Sequence, residues 1–192
     1  MAKTGKKSPT IFYWLSLVCA AATIVMMFLN WFTFQATSFG NDNALGSYSL
    51  MKIEDFLITT SQYVPVDSNT WITTAAVVAM WAVVAVQAVY ILWALITMRR
   101  TPPRGILPAV VSLVVGFGFL IAHAMFGSYI QNNLENEFIH IEFYTSVFPY
   151  IVIMLAVATV VFALLNRQES RALYAVKHPR GFVFPPENPE VV

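Results

Sequence analysis

An all-α integral membrane protein, a bundle of four transmembrane helices with both termini in the cytosol, is the fold class this chain predicts. Three observations carry it. The composition is 58% hydrophobic and 11% charged, with a mean hydropathy of +0.65, whereas about a quarter of the residues of a soluble domain are charged. Four uncharged runs are long enough to approach the ~30 Å of a bilayer's hydrocarbon core. The charges between those runs are sorted by sign, and cationic connections stay on the cytosolic side.

Residues 1–10, with Lys3, Lys6 and Lys7, form a basic cytoplasmic start. The first span, 11–29, leaves the cytosol. A spanning helix fits better than the alternative, a secretory signal cleaved at Ala20-Ala21-Ala22, because a signal's apolar core covers only ~7–15 residues and this run continues through Phe28-Leu29.

The first outer loop, 30–70, holds Asp42, Glu54, Asp55 and Asp67 against a single Lys52. Aromatic and β-branched residues over 31–39, turn residues at Gly40-Asn41-Asp42-Asn43 and a second short run at 47–53 predict a hairpin on the membrane surface. A short amphipathic helix over 55–62, with Phe56 and Leu57 turned to lipid, follows and ends at Pro65. Trp31, Phe32 and Trp71 fall where interfacial aromatic belts sit, so anchoring explains them better than ligand binding.

The second span, 71–98, is longer than the bilayer core requires. The connection at 99–105 contains Arg99, Arg100 and Arg104, and Pro102-Pro103 stops the helix there. This basic turn fixes the orientation of everything on either side. The third span covers 106–126, the second outer loop 127–146 and the fourth span 147–165, with Thr145 or Ser146 as cap and Pro149 in the first turn. A cytoplasmic tail, 166–192, begins as a continued helix through Ala175 and becomes Pro-rich. On this map all 11 lysines and arginines except Lys52 lie inside. Of the 10 acids, Asp42, Glu54, Asp55, Asp67, Glu135, Glu137 and Glu142 lie outside.

Polar groups inside a membrane are costly and are the first places to look for function. Gln87 shares a helical face with Ala76, Met80, Val83 and Ala94, which suits an interhelical hydrogen bond. His123 shares a small-residue face with Ser112, Gly116 and Gly127, which lets another helix approach closely. Either residue is a packing contact or part of a path, and packing is the simpler reading. Haem is not expected, since no other span supplies a histidine as second axial ligand.

Glu135, Glu137, His140 and Glu142 form an outer acidic cluster. Their spacing fits no helical metal pair, and acids are expected in an outer loop, so Glu137, His140 and Glu142 are only weak metal candidates. Cys19 stands alone, so the chain has no internal disulfide, Cys-x-x-Cys pair or thiolate zinc cluster. No nucleophile and base share a face, no phosphate loop or sequon occurs, and no cofactor is implied.

Four spans with a larger, partly β-like first outer loop resemble the claudin and tetraspan arrangement in outline. The Trp-Gly-Leu-Trp motif and paired cysteines of claudin first loops have no match between Trp31 and Trp71, so the resemblance does not extend to junction formation. The expected function is a non-enzymatic accessory or structural subunit in a prokaryotic plasma membrane. Its partners would be the lipid bilayer and another membrane protein or a second copy, with no role for nucleic acid. A small transporter or channel subunit with a path near Gln87 and His123 is the alternative, followed by a membrane enzyme acting on lipid or quinone.

Overall fold

The computed structural model describes residues 11–38, 41–61, 70–97, 105–133 and 139–177. Helix α1 (Ile11–Met27) leads into strands β1 (Phe32–Ser38) and β2 (Asn41–Tyr48), a 3₁₀ turn (Leu50–Lys52) and helix α2 (Ile53–Ser61). Helices α3 (Thr70–Thr97) and α4 (Ile106–Asn133), strand β3 (Ile139–Thr145) and helix α5 (Phe148–Lys177) complete the chain.

Three of these helices hold segments long and apolar enough to cross a membrane: Thr74–Thr97, Ile106–Tyr129 and Phe148–Glu169. Helix α1 is apolar but has 17 residues, about 25 Å at 1.5 Å per residue. It packs against α5 and α3, and α4 packs against the same two helices.

Burial in these helices is inverted relative to a water-soluble bundle. Ser16, Thr23, Gln87, Ser112, Thr159 and Asn166 are buried. Val89, Ile96, Val114, Ile121 and Met154 face outward, Ile96 with 80% of its surface exposed. Contiguous exposed apolar surface on this scale is unfavourable in water and costs nothing against lipid tails.

The buried faces are narrow. On α3 they recur as Met80, Val83, Gln87, Tyr90 and Ala94, on α1 as Ser16, Ala20 and Thr23, and on α5 as Ala156, Thr159 and Ala163. On α1 and α5 these are small residues, because close approach of backbones supplies the packing that the hydrophobic effect cannot supply in lipid. Gly116 shows it most sharply: a Cβ there would lie 2.8 Å from Ile153 Cγ1 on α5. Gly127, expected on the same tight face, has open space around it.

The two connections that the sequence reading places outside merge into one antiparallel sheet of order β2-β1-β3. Pairing of β1 with β3 runs unbroken from Phe32↔Thr145 to Ser38↔Ile139. Pairing of β1 with β2 shifts register between Phe34 and Gln35, leaving Leu45 as the extra residue, and Gly46 beside it takes φ 129°. A bulge of this kind favours glycine because a side chain is strained at positive φ.

The structure corrects the expected outer region in four respects. The hairpin is present, but β2 begins at Asn41, so the expected turn residues Asn41, Asp42 and Asn43 are paired strand and the run after Tyr48 forms the 3₁₀ turn. The hairpin is also two-thirds of a sheet completed from the second outer connection. That connection is not a simple loop from Gly127, since α4 continues to Asn133 and β3 follows. No proline interrupts Gly127–Asn133, and leaving the bilayer does not by itself end a helix. Finally, Trp31, Phe32 and Phe56 do not face lipid: their exposures are 0%, 1% and 4%.

Candidate functional site

Three buried polar places and one aromatic platform dominate the described residues. The first polar place joins α3 to α4. Gln87 Nε2 donates to Ser112 Oγ at 3.0 Å and approaches the Pro108 carbonyl at 3.5 Å, while Ser112 Oγ donates to that carbonyl at 2.8 Å. Ser112 stands four residues after Pro108 on α4, so its hydroxyl folds back onto the carbonyl one turn earlier. Gln87 Oε1 is buried with no hydrogen-bond partner among the described residues.

This asymmetry predicts an unusual mutational sign. Gln87→Leu keeps the volume, removes the unpaired oxygen and leaves Ser112 bonded to Pro108. Its unfolding free energy in detergent should stay within about 1 kcal/mol of wild type. Gln87→Ala opens a cavity and should cost about 2 kcal/mol or more in the same denaturant titration.

The second lies one to two turns further along α3, where Tyr13 Oη donates to the Ala94 carbonyl at 2.7 Å and Ser16 Oγ lies 3.1 Å from Tyr90 Oη. Ala94 belongs to the last turn of α3, whose carbonyls lack helical partners. Tyr13 therefore caps a neighbouring helix, a role that an aromatic within an apolar run does not announce in sequence. Tyr13→Phe should cost about 0.5–1.5 kcal/mol by the same titration.

The third polar place is His123. Its ring stacks on Phe143 of β3 with centroids 4.2 Å apart and planes 15° apart, and Phe119 lies 6.1 Å away. A hydrogen bond joins the imidazole to the Phe143 backbone, while Nε2 is buried with no partner among the described residues. In the neutral ring Nδ1 then carries the proton and Nε2 is an acceptor. His123 thus ties α4 to the outer sheet rather than to another membrane helix.

The platform itself is aromatic. Phe56 lies 4.8 Å from Phe32, 5.4 Å from Tyr48, 5.5 Å from Phe34, 5.7 Å from Phe143 and 5.9 Å from Phe126. Trp31 meets Phe119 edge to face at 5.0 Å, and its indole N–H donates to the Met26 carbonyl at 2.9 Å. The Trp31 backbone extends the sheet on both sides, donating to Tyr48 O at 2.8 Å and accepting from Ser146 N at 2.9 Å. Strand alternation sends Phe32, Phe34 and Ile141 inward and leaves Thr33, Ser47 and Tyr144 on the outer face. There Thr33 Oγ1 and Ser47 Oγ are 2.8 Å apart, and the Tyr144 hydroxyl donates to the Glu142 carboxylate. That carboxylate holds the phenolic proton and raises the Tyr144 pKa above its ordinary value.

No family model, curated protein or solved structure matches this chain.

Of the four packing or path candidates, Gln87 and Ser112 come together, Gly116 seats α5, and His123 sits apart under the sheet. Ser112 and His123 are about 16 Å apart along α4. Of the weak metal candidates, Glu137 and the side chain of His140 lie outside the described residues, as does Glu135. Glu142 is engaged by Tyr144, and among the described residues no group of three potential ligands assembles. Phe143, which joins β3 to both His123 and Phe56, was not singled out in sequence. The alternation of Ile139, Ile141 and Phe143 with polar neighbours is the signal that marks it.

Proposed function

We propose that the chain crosses the plasma membrane four times, with residues 1–10, 99–105 and 166–192 in the cytosol. In this reading it is a non-enzymatic accessory subunit of a larger membrane assembly. The sheet is its recognition surface, offered to a membrane partner or to a second copy of the chain.

The observation that supports this most is the union of both outer connections in one sheet. Loops that only joined helices would not need strands paired across more than a hundred residues of sequence or an aromatic layer beneath them. Such a layer fixes the position of a polar face that includes Thr33, Ser47, Glu142 and Tyr144, and preorganisation of that kind lowers the entropic cost of recognition. The buried polar groups on the membrane helices are meanwhile used between helices, Gln87 with Ser112 and Tyr13 with Ala94.

Gentle solubilisation and sizing tests the proposal. The protein should run in a particle well above its own 21.5 kDa after allowance for detergent, and a Thr33→Arg, Glu142→Arg variant should fall to monomer while keeping its helical content. Monomeric wild type with no companion protein would contradict it.

The transport reading has one observation in its favour, the unpartnered Gln87 Oε1 and His123 Nε2. Val115 and Phe119 occupy the same side of α4 between the two positions, so any path would have to form at an oligomer interface. Liposome flux that collapses in both Gln87→Leu and His123→Leu would favour that reading.

A further inference from the structure

Pairing with β1 orients the backbone of β3. Ser146 N donates to Trp31 O at 2.9 Å, one step beyond the Phe32↔Thr145 pair, so the backbone groups of Glu142, Tyr144 and Ser146 turn to β1 and those of Phe143 turn to the strand's other edge. There the Phe143 carbonyl takes its hydrogen bond from the His123 imidazole of α4. The Phe143 ring stacks on the same imidazole at 4.2 Å and meets Phe32 at 5.3 Å, Phe126 at 5.3 Å and Phe56 at 5.7 Å. One side chain of α4 thus holds both the backbone and the ring of Phe143.

This contact suits a neutral ring. With Nδ1–H on the carbonyl, Nε2 is an acceptor, buried and with no partner among the described residues. A second proton would make it a donor without an acceptor and would set a full charge between Phe119 and Phe143. Attraction between a cation and the Phe143 ring offsets only part of the hydration lost. Among the described residues no carboxylate faces the imidazole. Glu142 and Tyr144 stand on the outer face of β3 and are bonded to each other, and Glu54 and Asp55 are exposed on α2, which turns Phe56 to Phe143. Tyr48 on β2 packs on Phe56, while Tyr129 on α4, almost two turns beyond His123, and Tyr150 on α5 are exposed. Asp67, Glu135 and Glu137 lie outside the described residues.

We propose that His123 is an acid-sensitive latch, which holds the sheet to α4 while its ring is neutral and releases β3 when the ring takes a second proton. A released imidazole takes that proton near pH ~6.5, so attachment is at full strength above that pH and weakens about tenfold for each unit below it. The sheet is the recognition surface of the proposed function, and the latch makes its hold on the helices depend on the acidity of the compartment it faces. Which compartment that is rests on the four-span reading; the latch itself does not.

Thiol labelling of the full chain in detergent, where both ends of the protein meet the same pH, tests the latch apart from the topology. Cys19 is replaced by alanine, and a single cysteine is introduced either at Ile141, buried beneath the sheet, or at Ser47, exposed on it. Dividing the labelling rate of Ile141→Cys by that of Ser47→Cys, with dithiodipyridine as reagent, removes the pH dependence of the chemistry itself. The ratio should rise roughly tenfold between about pH 8 and about pH 5.5, with helix content unchanged. It should be flat, whatever its level, in His123→Gln, which keeps a donor, and in His123→Phe, which keeps a ring to stack. The rise should persist in Glu142→Gln and in the combined Asp67→Asn, Glu135→Gln, Glu137→Gln variant. A flat ratio with His123 in place, a rise in either His123 variant, or loss of the rise in the carboxylate variants would overturn the proposal.

Discussion

Phe32→Ala should unfold the outer sheet from the helices at a cost of about 3–5 kcal/mol, the range for truncating a fully buried phenylalanine. Phe32 is 1% exposed and meets Phe56 at 4.8 Å, Phe143 at 5.3 Å, Tyr48 at 5.8 Å and Phe119 at 6.0 Å. It therefore touches β2, α2, β3 and α4 at once, and no neighbour can move in to fill the space without leaving another contact. The readout is local: Lys52, the one cation of the first outer connection, lies exposed in the 3₁₀ turn between β2 and α2. Trypsin added to intact cells should leave wild type whole and cut the variant at Lys52. An uncut variant with wild-type thermal stability would show that the aromatic layer does not hold the sheet. Tyr48→Ala should follow the same pattern more weakly, since Tyr48 has contacts with fewer elements.

Gly116→Val is expected to be the most damaging change within the membrane helices. A Cβ at Gly116 would approach Ile153 Cγ1 to 2.8 Å and Cδ1 to 3.4 Å, with the Pro149 carbonyl at 3.8 Å, so α4 and α5 must separate or Ile153 must leave its position. Overpacking typically costs about 1–3 kcal/mol, and a branched residue should reach the upper end. Removing the obstructing atoms should restore part of that loss. In a double-mutant cycle, Ile153→Ala with Gly116→Val should be less destabilised than the two single costs combined, by about 1 kcal/mol or more. Additive costs would place the strain elsewhere. Gly118→Val, where nothing lies within 4 Å, is the matched control and should stay near wild type.

The helices were legible in sequence because lipid imposes a strict rule on them: every backbone group must be bonded within its own helix, so apolar length alone identifies a candidate span. Gln87 was legible for a related reason, since a polar group in such a run must find a partner on another helix; Ser112 read only as part of the small-residue face around His123, and its bond to Gln87 depends on how α3 and α4 are placed. The outer unit was legible only in part. The hairpin and the short helix follow from local residues, but the pairing of Phe32–Ser38 with Ile139–Thr145 depends on where the membrane helices place the two connections. Its local signal, Ile-His-Ile-Glu-Phe-Tyr-Thr, is a clean period-two alternation short enough to pass for an irregular loop. That pairing also reverses the meaning of Trp31, Phe32 and Phe56: aromatics near the end of a span read as interfacial anchors until a sheet is seen to cover them. His123 shifts for the same reason, from a contact between helices to a contact with a strand.

Everything proposed here depends on lipid as the solvent of the long helices and on the side of the membrane that receives Arg99, Arg100 and Arg104. Labelling of introduced cysteines with a membrane-impermeant maleimide measures this directly, with the native Cys19 buried and out of reach. In intact cells Asn43→Cys should be modified, while Thr101→Cys and Glu187→Cys should react only after the membrane is permeabilised. Modification of Thr101→Cys or Glu187→Cys in intact cells would contradict the four-span map and the placement of the sheet outside.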